Sequence, residues 1–100
     1  MTTTFQIVYW RDIPAQIRVR SGSQRVNRPL SPRFQEAIDA AAMRADAIST
    51  DDYLADWRTL DWQPSDAEPQ QLADSLVAEI EAEYTKERLM KLVVSLGIET

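Results

Sequence analysis

Apolar positions are spaced in two ways along this chain of 100 residues: they alternate up to about residue 28, and from Ser31 onward they recur every three or four. Phe5-Gln6-Ile7-Val8-Tyr9-Trp10 is β-branched and aromatic, and both alternating sets are apolar apart from Gln6. Such a strand is central in its sheet or covered on both faces. Arg11-Asp12-Ile13-Pro14 carries turn chemistry, since Asp can bond the backbone that follows it and Pro forces Ile13 towards an extended conformation. Ala15, Ile17 and Val19 then alternate with Gln16, Arg18 and Arg20, as on a half-buried strand. Ser21-Gly22-Ser23 predicts a tight turn, and Gln24-Arg25-Val26-Asn27 returns as a third short strand.

Ser31-Pro32 opens a helix, with Ser as the cap and Pro at the first helical position, where no backbone donor is missed. Its apolar stripe runs through Phe34, Ala37, Ile38, Ala41, Ala45 and Ile48; Met43 falls on the opposite, exposed side. Ser49-Thr50-Asp51-Asp52 restarts a helix with acids in its first turn, where the helix dipole favours them, and Tyr53, Leu54 and Trp57 are expected to face inward. Arg58 to Trp62 alternates and predicts a short fourth strand. Ser65-Asp66-Ala67-Glu68 matches a capping box, with Pro69 in the first turn of a helix whose stripe is Leu72, Ala73, Leu76, Val77, Ile80 and Tyr84.

Past Tyr84 the pattern shifts. On one straight helix, Leu89, Leu92, Val93 and Leu96 would project roughly opposite the preceding stripe, at about 100° per residue. Two outcomes follow. Either the helix breaks near Thr85, a suitable new cap, or this second stripe is a surface for a protein partner or a second copy. Gly97 ends the segment. The fold class expected is α+β: a short antiparallel meander packed against three to four helices, in a single domain that is sheet-rich over 4–28 and helical over 31–97.

Composition removes several chemistries. Cys and His are both absent, which excludes disulfides, thiolate metal sites, a Cys nucleophile and every His-based general base. The two glycines build no phosphate-binding loop, and Asp51, Asp52 and Asp56 lack the alternating oxygens of a calcium loop. No metal, cofactor or catalytic residue is therefore expected. No apolar run reaches the roughly 18 residues of a membrane span, and Met-Thr-Thr-Thr-Phe-Gln does not resemble an export signal, so the cytoplasm is the expected compartment.

The net charge of −5 is split: residues 1–33 hold six arginines against Asp12, and the remainder holds five bases against fifteen acids. Arg suits forked contacts with carboxylate or phosphate. Arg18 and Arg20, together with Arg25 and Arg28, are candidates for an anion-binding sheet face. Nucleic acid is the disfavoured ligand, because the chain as a whole is acidic. Tyr9, Trp10, Arg11 and Asp12 combine aromatic and Arg character, as binding hot spots do, and are candidates for a partner-contacting loop; their other reading is local packing. Tyr9, Arg11 and Asp12 could also serve as donor, anion clamp and acid, but one unpaired carboxylate is poor evidence for acid–base catalysis.

Val8-Tyr9-Trp10-Arg11-Asp12-Ile13-Pro14-Ala15-Gln16, followed by Arg33-Phe34-Gln35-Glu36-Ala37-Ile38 and Ala42-Met43-Arg44-Ala45, resembles the bacterial "virulence factor" domain family. Tyr53-Leu54-Ala55-Asp56-Trp57 and Glu83-Tyr84-Thr85-Lys86-Glu87-Arg88-Leu89 are similar to later parts of that pattern. The resemblance covers about Phe5 to Leu92 and carries no assigned reaction or catalytic residue. Related domains occur joined to HEAT-type repeats and NifU-like modules, which implies an accessory or scaffold role. Others occur beside tetrahydrofolate- and corrinoid-dependent methyl-transfer proteins, which implies the alternative of a small subunit of such a system.

Overall fold

Strand β1 (Thr3–Trp10) pairs on one side with β2 (Ile13–Ser21), which pairs with the edge strand β3 (Gln24–Pro29), all antiparallel. A computed structural model describes residues 3–45 and 50–99. The β2–β3 turn is the two-residue loop Gly22-Ser23, with Gly22 at φ +59° and no positive φ at Ser23, as a type II′ hairpin turn requires.

The other side of β1 takes two short strands, β4 (Trp57–Thr59) and β5 (Gln63–Ser65). The expected fourth strand over 58–62 is thus displaced. Leu60, Asp61 and Trp62 form an interruption between two paired stretches, because the register against β1 slips by one residue across it. Gln6, the polar exception in β1, explains how the interruption is tolerated. It is buried, and its Nε2 donates to the Leu60 carbonyl at 3.0 Å while its Oε1 accepts from Arg18.

Helix α1 (Pro32–Arg44) starts after Ser31 as expected, but the Ser31 side chain makes no cap bond, its hydroxyl donating to Glu81 instead; the helix buries Phe34, Ala37, Ile38, Ala41 and Ala42. Ile48 and Ser49 lie outside the described residues. Helix α2 (Thr50–Ala55) is followed directly by β4, and Leu54, expected inside, is 58% exposed. Six residues make less than two turns, and Tyr53 alone is enough to meet the core. Helix α3 (Pro69–Glu83) begins later than the capping box suggests. Glu68 is its cap, accepting from the Gln71 amide at 3.0 Å, while Ser65 ends β5 and its Oγ accepts from Ala67 instead. Pro69, fixed in φ and lacking a donor, sets the first helical position there.

The helix then breaks. Thr85 caps α4 (Lys86–Val94) by accepting from the Arg88 amide, and Tyr84 leaves the helical region at ψ 77°. The break redirects the second stripe inward, so Leu89 and Leu92 are buried and pack with α1; Val93 is half-buried and Leu96 exposed. Leu89 and Leu92 are core residues and are not open to a partner as they would have been on an unbroken helix.

Side chains directly opposite in an antiparallel pair share a face. Phe5, Ile7, Ile17, Val19 and Val26 therefore point one way, under α3 and α1, which both pack on β2. Gln6, Val8, Gln16, Arg18, Arg20 and Arg25 point the other way. Leu54 of α2 and Trp57 lie with Val8, Gln16 and Arg18 towards one end of that second face.

Candidate binding surface

Each arginine can be judged by what it meets. Five of them meet a carboxylate: Arg11 with Asp56 at 3.2 Å, Arg28 with Asp74 at 2.5 Å, Arg33 with Glu81 at 3.1 Å, Arg58 with Asp12 at 3.0 Å and Arg88 with Glu99 at 2.5 Å. Arg18, Arg20, Arg25 and Arg44 meet none among the described residues; Arg44 ends α1, and the other three lie on the face of the sheet away from α1 and α3. Arg18 touches only the Gln6 amide oxygen at 3.3 Å, Arg20 stacks on Trp62 at 4.1 Å, and Arg25 is exposed. Arg20 and Arg25 are directly opposed across β2 and β3, an arrangement that costs stability unless a counter-charge is supplied.

Beside Arg18 lies a shallow groove of about 450 Å³. Val8 and Gln16 belong to its sheet wall, Arg18 lines it, and Leu54, Trp57, Thr59 and the Asp12-paired Arg58 complete it. Apolar area next to unneutralised guanidinium groups suits a ligand with both apolar and acidic parts.

The Tyr9-Trp10-Arg11-Asp12 segment is placed differently. Trp10 is fully buried, stacks on Tyr53 with centroids 6.0 Å apart, and donates its Nε1–H to the Tyr53 carbonyl at 2.9 Å. Its ring is core and offers no contact surface. Arg11 takes a positive φ of 52°, uncommon for a residue with a Cβ, and surrounding bonds hold it there. Its amide donates to the Asp56 carbonyl and its Nη1 to the Leu96 carbonyl, while the Asp12 amide donates to Gly97. Both oxygens of Asp12 are occupied, one by Arg58 and the other by the Glu99 amide at 2.7 Å. The loop is a clasp that joins β4 and the 96–99 segment to the sheet.

Tyr9 faces a second hollow of about 280 Å³ with Asp12, Arg58, Leu60, Tyr84 and Glu99. Burial pushes the Tyr84 hydroxyl up to about 12, helped by the neighbouring Tyr9. Burial also raises Tyr9. Arg58 and Arg88 stack over these two rings, and Asp12 and Glu99 neutralise them. This hollow is charge-balanced from within; the open sheet face is not.

A model of the family described as "Virulence factor" matches residues 8–93. The chain belongs to this family. No curated protein and no solved structure gives a significant match. In this virulence factor domain the sequence segment that carries the resemblance, Val8 to Gln16, supplies the clasp and one wall of the groove. No helix among the described residues is long and apolar enough to cross a membrane, and none of their acidic side chains gather in threes as a metal site would need.

The sequence pointed to Arg18 and Arg20, and the structure brings them together with Arg25 on one face. Arg28, offered with them, is on the other face of β3, committed to Asp74 and to Gln70 on α3. Leu54, Trp57, Thr59 and Trp62 were missed as surface residues. Their only signal was aromatic and apolar side chains in a short, weakly patterned stretch.

Proposed function

We propose that this domain is a non-catalytic interaction module that receives an acidic, partly apolar segment of a partner protein on its open sheet face. What carries the reading is the contrast among the arginines. Among the described residues, Arg11, Arg28, Arg33, Arg58 and Arg88 each have a carboxylate; Arg44 at the end of α1 has none, and neither do the three that gather on the open face. Arg18 lines the groove with Val8, Leu54 and Trp57, and Arg20 and Arg25 extend the unneutralised charge along the same face towards β3, so hydrogen-bond forks and apolar area share one surface, the combination that interface centres use.

The test uses the isotope-labelled full chain titrated with blocked hexapeptides that alternate valine with glutamate or, as a control, valine with lysine. The reading expects the acidic peptide to shift signals of Val8, Gln16, Arg18 and Thr59, with an effect that weakens as salt is added. Arg18→Glu should abolish those shifts. Absence of any shift at low ionic strength, or shifts confined to α1 and α4, would refute the reading.

A further inference from the structure

Strand β3 is an edge, and its register determines which of its backbone groups are unused. A two-residue hairpin closes on a hydrogen-bonded pair, here Ser21 with Gln24, and hydrogen-bonded and open pairs then alternate. Even-numbered residues of β3 therefore bond to β2, a phase continued by the Leu30 amide, which donates to the Ala15 carbonyl at 3.1 Å. Arg25 and Asn27 point their N–H and C=O away from the sheet, and both residues are exposed. Pro29, the next in that phase, has no N–H to offer, so the docking edge is short.

We propose that the partner segment binds by adding a strand to β3, with acidic side chains beside Arg25 and Asn27 on the open face. This deepens the docking reading and rests on it. A residue paired with Arg25 across the new edge would lie on the same face, about 4.5–5.5 Å away between Cβ atoms, within reach of the uncompensated Arg20–Arg25 pair. The residue after it would turn towards the helix side, where Asp74 and Gln70 are already bonded to Arg28, so an uncharged side chain fits there. The recognised pattern is acidic–uncharged–acidic in an extended chain.

A second copy is a poor occupant. None of the five strands contains Asp or Glu, so pairing β3 with another β3 adds positive charge to this edge and no acid to face Arg25. The same charge that blocks self-pairing of this edge admits an oppositely charged strand.

The deciding measurement is amide hydrogen exchange of the labelled full chain with the valine–glutamate hexapeptide, the valine–lysine hexapeptide or tripolyphosphate. The proposal expects slowed exchange at Arg25 and Asn27 with the acidic peptide alone. Asn27→Pro removes an outward donor without removing a bond to β2, and should weaken binding about fivefold or more, the loss of one hydrogen bond. Arg25→Glu, which leaves the backbone untouched, should weaken it further. Shifts around Val8 and Arg18 without protection at Arg25 and Asn27 would overturn strand addition and leave the docking reading standing. Equal protection by the lysine peptide would overturn the acidic assignment. No shift with either peptide would remove both.

Discussion

The α-carbon of Gly97 lies against the indole of Trp10: a Cβ built at residue 97 would stand 2.9 Å from Cζ3 of that ring and 3.3 Å from Cδ of Arg11. Gly97 also has a φ of +83°, so two separate requirements exclude a side chain there. Trp10 is fixed by its bond to Tyr53 and cannot yield. Gly97→Ala should therefore cost about 2–4 kcal/mol, combining left-handed strain with overpacking. Gly22→Ala, at an exposed turn with a similar φ, should show only the backbone part, about 1–2 kcal/mol. Urea unfolding midpoints of the two variants separate the terms; equal losses would mean that the Trp10 contact carries no weight.

Gln6 gives a second stability prediction. Its amide is buried, and it satisfies the Leu60 carbonyl where the edge strand is interrupted. Gln6→Leu keeps the volume but leaves that carbonyl without its donor, at a cost of about 1–3 kcal/mol. Amide exchange at Leu60, whose N–H donates to the Ile7 carbonyl at 3.2 Å, should accelerate more than exchange within β2. A variant as stable as the parent would show that water replaces the side chain.

These two cases mark what could be read from sequence. The strands β1 and β2 and the helix start at Ser31-Pro32 were legible, and the break at Thr85 was one of two readings, because each rests on local chemistry: alternation, a proline at the first helical position, a mismatch between two apolar stripes. The later start of α3 was not legible, because Ser65 and Glu68 can both cap and only pairing of Ser65 with Thr3 decides between them. The role of Trp10-Arg11-Asp12 was not legible either. Its partners Asp56, Arg58 and Gly97 are more than forty residues away, and only the fold shows that the loop is a clasp. Arg18 and Arg20 were found because alternation alone puts them on one face. Arg25 joined them through register, and Arg28 left them for the same reason.

Glu81 sets part of the acid stability. It accepts from the Ser31 hydroxyl at 2.6 Å, the Ser31 amide at 3.1 Å and Arg33 at 3.1 Å. Partial burial pushes its carboxyl up, but the Ser31 bonds and the Arg33 guanidinium outweigh this and hold it below its ordinary 4.5. A depressed folded pKa contributes stability above the unfolded value and loses it as pH falls through the folded one. Glu81→Gln should therefore be less stable than the parent at neutral pH. The gap should narrow below about pH 4.5 and close once the parent carboxyl is protonated. Denaturant midpoints across that range check this; a gap independent of pH would assign the loss to packing alone.

Arg25 separates stability from binding. In the unbound domain it faces Arg20 across β2 and β3 with no carboxylate near either among the described residues, so the pair repels. Arg25→Thr replaces a like-charge contact with a β-branched side chain suited to a strand, and should stabilise the free domain by about 0.2–1 kcal/mol. The same change removes the guanidinium best placed to meet an acidic strand on β3, so affinity for the valine–glutamate peptide should fall as stability rises. Changing a paired arginine gives the opposite signature: Arg33→Thr breaks its bonds to Glu81 and to the Tyr84 carbonyl and should lower stability while leaving peptide affinity unchanged. Thermal midpoints and peptide titrations of the two variants, measured together, decide whether the open-face charge is held against a stability cost for the sake of a partner. If Arg25→Thr lowered stability, the cross-strand repulsion would not exist, and the argument for a missing counter-charge would lose its basis.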